Sequence, residues 1–537
     1  MVLGRLLTAQ ERRRSQRLYC AFCFVNGMSY MCLGESLLVL FAAQLGAPDA
    51  VVALLGAMQY IGYAMLPLGV RRTARRGAAV SQADFWVARN VAALVTASAG
   101  PVWLVSPPAA WALLLLGALL FYGFRAAGCV LFTPLLGDVS TEEEAPSVIG
   151  VTTAFFNASA VVTLAAITVA THRWHGRQAL VAVIVVGSVF GLFSSVFLRG
   201  MRETGAIRDA ARAPLWRGML QALRNSGLRR LVGAWFFLNL GLIMLVPISM
   251  LALKRGCGFD DGKALVCACA QFAGGVVSSF ACGPLCRRFG ARSVLVAAAL
   301  GCVAVPLAWL AFPSPMQESA AVPVASPSFP ESAPESAPVP GASPSFPESA
   351  PESAAVPGAS PSFPESAPES AAVPVASPSF PESAPESASV PGASPSFPES
   401  APESAAGAVA SLSFQKSAGA TDATLFAGLV LFFFIGALYY LIYNATSAAF
   451  LVACPDKKDQ VSGSIAANLL AGAGSGVAGS ALGAWLVSRA VDWSVALPCA
   501  VFLGPLGYFR LYFLLVVPVA LAALAATLRM RFGHVIV

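Results

Sequence analysis

Long apolar runs recur along the chain between short polar or basic turns, at about residues 18–45, 49–70, 85–106, 109–136, 147–171 and 178–199. A second series follows at about 231–253, 262–286, 293–312, 422–453, 461–488 and 505–529. A helix needs about 20 mostly apolar residues to cross the hydrocarbon core, so the pattern predicts twelve transmembrane helices in two groups of six. Six crossings return a chain to its starting side. The two groups therefore read as parallel, pseudo-symmetric halves, the arrangement that encloses a cavity on an axis along the membrane normal.

Composition agrees with an all-α membrane protein. Of 537 residues, 57% are hydrophobic and 11% charged, where soluble domains carry roughly 25% charge. A soluble enzyme, a disordered scaffold and a disulfide framework are excluded. Arg12, Arg13, Arg14 and Arg17 precede the first run as in a signal peptide. That run is too long for a cleaved apolar core and further runs follow directly, so it reads as a retained first helix.

Charge changes the picture by setting orientation. Residues 318–403 hold eleven Glu and no Lys or Arg, and without those Glu the net charge rises from +7 to +18. Loops on the side of the N-terminus hold 24 Lys and Arg, and loops on the opposite side hold eight. Cytoplasmic loops keep the positive excess, so the reading is a multi-pass protein of the cell (cytoplasmic or inner) membrane with both termini cytoplasmic. The basic surplus reports topology and gives no reason to expect nucleic acid.

The acidic segment then lies on the outer face between helices 9 and 10. Phe329, Phe346, Phe363, Phe380 and Phe397 each sit in the phrase Ser-Pro-Ser-Phe-Pro-Glu-Ser-Ala-Pro-Glu-Ser, repeated every 17 residues. Closely spaced prolines block helix and sheet ladder alike, and the Ala/Ser/Glu filler buries too little to offset chain entropy. The organisation read from sequence is thus 1–199, a six-helix half; 200–230, a cytoplasmic linker with an interfacial helix; 231–312, helices 7–9; 313–420, a disordered extracytoplasmic 17-residue repeat loop; and 421–537, helices 10–12. In the linker, Leu215, Trp216, Met219, Leu220 and Leu223 recur at helical spacing, as in a helix lying at the membrane surface.

The halves also repeat in detail. Asp49 lies ten residues before Gln59 and Asp261 ten before Gln271; Asn26 precedes Gln59 by 33, and Asn239 precedes Gln271 by 32. Each Gln-bearing helix ends in a basic turn. In the second half this reads Gly283-Pro284-Leu285-Cys286-Arg287-Arg288-Phe289-Gly290-Ala291-Arg292.

That stretch resembles the loop signature G-x-x-x-D-R-x-G-R-R of the major facilitator superfamily (MFS), and the architecture resembles the family over nearly the whole chain. Arg287 stands at the family's Asp position, so the acid used to lock one gate is missing, and the copy around Gly69 to Gly77 departs further. The resemblance implies an MFS-like fold, a cavity between helices 1, 4, 7 and 10, and a gating loop comprising Gly283, Arg287, Arg288, Gly290 and Arg292. The helix 5 signature of proton-driven drug exporters is absent.

Candidate chemistry lies inside the membrane. Helix 4 places Tyr122, Arg125, Cys129 and Thr133 within about 80° of one another. Arg125 is about 17 Å deep from the inner end at 1.5 Å per residue, beyond easy snorkelling, and requires a partner, an anionic substrate or a wet cavity. Helix 10 offers Tyr439, Tyr443 and Asn444 on one side, with Tyr443 close to the depth of Arg125. With Asn26, Asn239, Gln59 and Gln271 they make up the expected substrate-binding set. Glu35 on helix 1 is the proton-coupling candidate, because burial raises a carboxyl's proton affinity. Arg89, near the inner end of helix 3, is expected to reach the headgroups. The helix 11 glycines, Gly472, Gly474, Gly476, Gly479 and Gly483, predict close helix packing.

His172 and His175 read as an ordinary exposed turn, and Cys257 and Cys499 both fall in outer loops. No phosphate-binding G-x-x-x-x-G-K-[ST] loop, nucleophile constellation or metal set is present, so no enzyme activity, cofactor or metal is expected. The function read from sequence is a secondary active transporter moving a small solute by alternating access, ion- or proton-coupled or a facilitator. Its expected partners are that small-molecule solute and the lipid bilayer, and the expected unit is a monomer. The rival readings are a membrane platform displaying the repeat for binding and a lipid flippase of the same fold.

Overall fold

The computed structural model describes residues 2–174, 176–259, 261–312, 407–496 and 506–530. The first half comprises α1 (Ala9–Met31), α2 (Glu35–Gln44), α3 (Asp49–Ile61), α4 (Leu66–Arg76), α5 (Ala78–Val102), α6 (Pro107–Cys129), α7 (Phe132–Asp138), α8 (Ala145–Arg173) and α9 (Arg177–Arg199). Short helices α10 (Ala206–Ala210) and α11 (Leu215–Arg224) occupy the linker. The second half comprises α12 (Ser226–Leu251), α13 (Asp261–Leu310), α14 (Gly407–Ala453), α15 (Lys457–Ala467), α16 (Ser475–Ala496) and α17 (Gly507–Leu528). Among the described residues there is no strand, only one isolated bridge between Val2 and Glu203.

Among the described residues, eight helical segments are long and apolar enough to cross a membrane, including Gly262–Leu310 at 49 residues. Gly290, at φ 76°, breaks that segment into two. Together with α1–α2, α3–α4 and α5, the path is consistent with twelve passes.

Local chemistry explains where the helices depart from the apolar pattern. The first begins at Ala9 rather than near residue 18, because Thr8 and Glu11 form a reciprocal capping box that satisfies exposed backbone donors. It is interrupted at Cys32–Gly34. The fourth pass breaks between α6 and α7, where Pro134 cannot donate to the Val130 carbonyl. The Ser464 hydroxyl of α15 donates to that carbonyl instead. Helix α14 begins at Gly407, inside the range assigned from sequence to the disordered loop, since no proline stands between Gly407 and Thr421. The remainder of that loop, 313–406, lies outside the described residues.

The apolar cores show how the halves meet. On the side of the N-terminus, α1, α4, α5, α7 and the linker share one core with Val461, Ile465 and Ala466 of α15. Toward the opposite side the halves share none: Leu33, Phe41, Leu114 and Phe121 form a core of the first, and the second has one that runs its full depth, from Leu228 and Met530 to Trp309 and Phe513. In the linker, Met219 is buried while Trp216 and Leu220 stand exposed.

Acids organise the polar rim of the first half. Asp84 receives Arg72 at 2.6 Å, Arg199 at 3.4 Å and Arg76 at 3.5 Å. Glu11 binds Arg5 and Arg202 at 2.8 and 2.7 Å, and the Arg5 guanidinium holds its carboxyl well below the usual range. Glu203 accepts from the backbone N–H of Ala78 and Ala79 at the start of α5. There the chain turns through Gly77 at φ 90°, a conformation open to glycine. Burial nevertheless pushes the Glu203 carboxyl up to about 7.

Candidate functional site

Arg125 projects from α6 with its guanidinium 5.0 Å from the ring centre of Tyr30 on α1. Its electrostatic neighbours include Tyr63, Tyr122 and Cys129 from the same half, and Tyr439, Tyr440 and Tyr443 of α14 from the other. Tyr63 belongs to a short 3-10 turn, Gly62–Met65, between α3 and α4. No described carboxylate lies within ion-pairing distance of Arg125. Tyr439 is 39% exposed although it neighbours Arg125, Tyr30 and Tyr63. A cation among aromatic faces and hydroxyl groups is chemically suited to hold an anionic or strongly polar group, with the hydroxyls accepting or donating as required.

Arg89 has a different environment, and the expectation that it snorkels is corrected. It is fully buried, stacked 4.8 Å from Trp86 and 5.1 Å from Phe121. One of its nitrogens donates to Asn26 Oδ1 and Ser29 Oγ, both at 3.1 Å. The side chain points between α1 and α5 because Asn26 also accepts from Trp86 Nε1 at 2.7 Å, which fixes a polar knot in that interface.

The other sequence-selected residues divide in the same way. Tyr122, Tyr439 and Tyr443 are electrostatic neighbours of Arg125. Asn26 belongs to the Arg89 knot. Asn239 donates to the Ala471 carbonyl at 2.8 Å, inside a π-helical segment, Asn468–Gly474. Asn444 is fully buried at the seam between halves, accepting from Thr153 at 2.8 Å and donating to Ser279 at 3.1 Å. Gln59 and Gln271 are half-buried, and neither hydrogen-bonds to Arg125. The side chain of Glu35, together with His175 and Cys499, lies outside the described residues.

Within the expected gating loop, Gly283 is helical and packs so closely on Ser147 of α8 that a Cβ would collide. Arg287, Arg288 and Arg292 are exposed, and Arg292 donates to the Leu528 carbonyl at 3.0 Å. Tyr30 and Tyr63 lie outside the set expected from sequence. Tyr30 stands one helical turn beyond Asn26, a spacing that would have pointed to it; Tyr63 had no comparable signal.

Similarity to solved structures spans the chain. The E. coli fucose:proton symporter aligns at TM-score 0.54 and 10% identity, over 96% of this chain and 99% of that one. The MFS proton:xylose symporter bound to 6-bromo-6-deoxy-D-glucose gives 0.53 and 9%, over 96% and 95%. A bacterial homologue of the iron transporter ferroportin, in an outward-facing state with soaked iron, gives 0.54 and 10%, over 98% and 99%. The chain has the major facilitator fold. No family model matches the sequence, and no curated protein matches it. On the major facilitator fold, the Arg125 cluster lies where the two six-helix halves face one another.

Proposed function

We propose that this protein is a secondary transporter that moves a small polar or anionic solute through the membrane by alternating access, without enzymatic chemistry. The observation that carries the reading is Arg125: a guanidinium deep in a span, with no described carboxylate to neutralise it, faces tyrosines contributed by both halves. An intramembrane charge of this kind is costly and marks a substrate pathway. Contact with both halves gives the solute a way to bias their relative arrangement, which a differential affinity requires.

The shared core on the side of the N-terminus, set against separate cores opposite, supports a state closed on the first side and open on the second. With the positive-inside orientation, that is an outward-facing state. The similarity to sugar:proton symporters and to an iron transporter homologue supports a small-solute cargo.

A thermal-shift screen of purified protein against anionic and neutral metabolites tests the reading, since any ligand that prefers the folded state raises the melting temperature. A hit that also accumulates in proteoliposomes, and loses both effects in Arg125→Ala, is the expected result. Uptake that survives unchanged in Arg125→Ala would remove the arginine from the pathway.

A further inference from the structure

A groove of about 710 Å³ opens on the flank of the first half, between α1 and the beginning of α8. Ala21, Phe24, Val25, Val151 and Phe155 wall it, and Arg13, Gln16 and Arg17 stand at its aqueous rim. Phe24 and Phe155 meet edge to face at 6.4 Å. Arg13 and Arg17 are exposed, one turn apart on the same face of α1. Neither has a described carboxylate within ion-pair distance, whereas Glu11 on the same helix is taken by Arg5 and Arg202. Gln16 is engaged with the Val139 carbonyl at 2.8 Å. Ser147 also lines the groove, and its hydroxyl is buried with no partner.

These features ask for one kind of occupant. Apolar walls at hydrocarbon depth exclude water and favour an acyl chain. Two neighbouring guanidiniums at the rim favour a phosphate, and an uncompensated pair favours a headgroup of net negative charge. We propose that the groove binds one anionic phospholipid from the leaflet on the side of the N-terminus. The phosphate lies between Arg13 and Arg17, and an acyl chain runs along Val151 and Phe155. Because Ser147 is also the residue against which Gly283 of the other half packs, the lipid borders the seam that must shift in any rearrangement of the halves.

The test uses full-length protein stripped of lipid in a neutral detergent. Melting temperature is measured with added phosphatidylglycerol, with phosphatidylcholine of the same chains, and with inorganic phosphate. Phosphatidylglycerol is expected to raise it by several degrees, phosphatidylcholine by less, and phosphate not at all. The phosphatidylglycerol-specific increment should vanish in R13Q/R17Q, which removes the charge, and separately in V151W, which fills the groove. Equal responses to the two lipids, an increment retained in both variants, or the same rise with phosphate alone would overturn the proposal. If the variants do not fold, native mass spectrometry of the wild-type protein in an equimolar mixture of the two lipids decides. Roughly tenfold preferential retention of one phosphatidylglycerol supports the site, and equal retention defeats it.

Discussion

The turn between the second and third passes of the first half is bound by acids, Asp84 gathering three arginines and Glu203 capping the next helix. The corresponding turn of the second half, Arg287 to Arg292, has no described ion pair; Arg292 reaches a backbone carbonyl and Arg288 lies over Phe289. Inside the membrane the contrast continues. The first half holds both intramembrane arginines that the structure describes at depth, Arg89 and Arg125, whereas the facing α14 offers tyrosines and an asparagine. Apolar periodicity alone specifies a repeated path, because any sufficiently hydrophobic helix crosses. Each intramembrane charge must instead find its own partners, so polar chemistry diverges between halves that keep one path.

The largest effect expected from breaking this asymmetry is at Arg125. Removing a charge-assisted contact of about 1.5–3 kcal/mol should lower solute affinity about 10- to 100-fold in Arg125→Ala, measured by uptake or thermal shift, with insertion into the membrane retained. Arg125→Lys should recover only part of it, because the planar fork is lost.

Arg89→Ala should act on stability instead. It empties a packed site between Trp86 and Phe121 and removes bonds to Asn26 and Ser29. A cost of about 2–4 kcal/mol follows from cavity and hydrogen-bond losses together. A lowered melting temperature, with transport per folded molecule preserved, would separate a structural arginine from a functional one. Transport lost without any change in melting would merge them.

A smaller effect is expected at Glu203. A carboxyl whose proton affinity is raised on folding binds protons more tightly in the native state, so the protein loses stability as pH rises from about 4.5 to about 7 and levels off above that. Melting curves across this window should flatten in Glu203→Gln. A slope unchanged by the substitution would assign it to another group.

Smallest should be Asp84→Asn, which releases three half-exposed or exposed arginines at no more than about 1 kcal/mol per pair. Its effect should shrink further in high salt. The same substitution sharpens the comparison when combined with Arg287→Asp, which supplies the second half with the acid it lacks.

How far the sequence could be read follows from the same distinction. Crossing segments and the break near Gly290 are legible because they are local properties of composition and of one permissive residue. Arg125 is legible as a deep charge, and Tyr443 of α14 as a residue at matching depth. The partner of Arg89 was not, since the Asn26–Trp86 knot depends on which faces of α1 and α5 meet. Asn444 shows the same limit: a polar residue on a cavity helix reads as lining the space, but its rotation turns it to Thr153 and Ser279 at the seam. The start of α14 at Gly407 is not legible from hydrophobicity, because the stretch before Thr421 is weakly apolar and only its lack of proline marks it.

Pro134 leaves the Val130 carbonyl without an intrahelical donor, and Ser464 answers it from the opposite bundle. Parting the bundles on that face strands a backbone oxygen, and an unmet buried acceptor costs about 1–3 kcal/mol until water arrives. The cost of separation on that face therefore falls away only where water can take the place of the Ser464 hydroxyl.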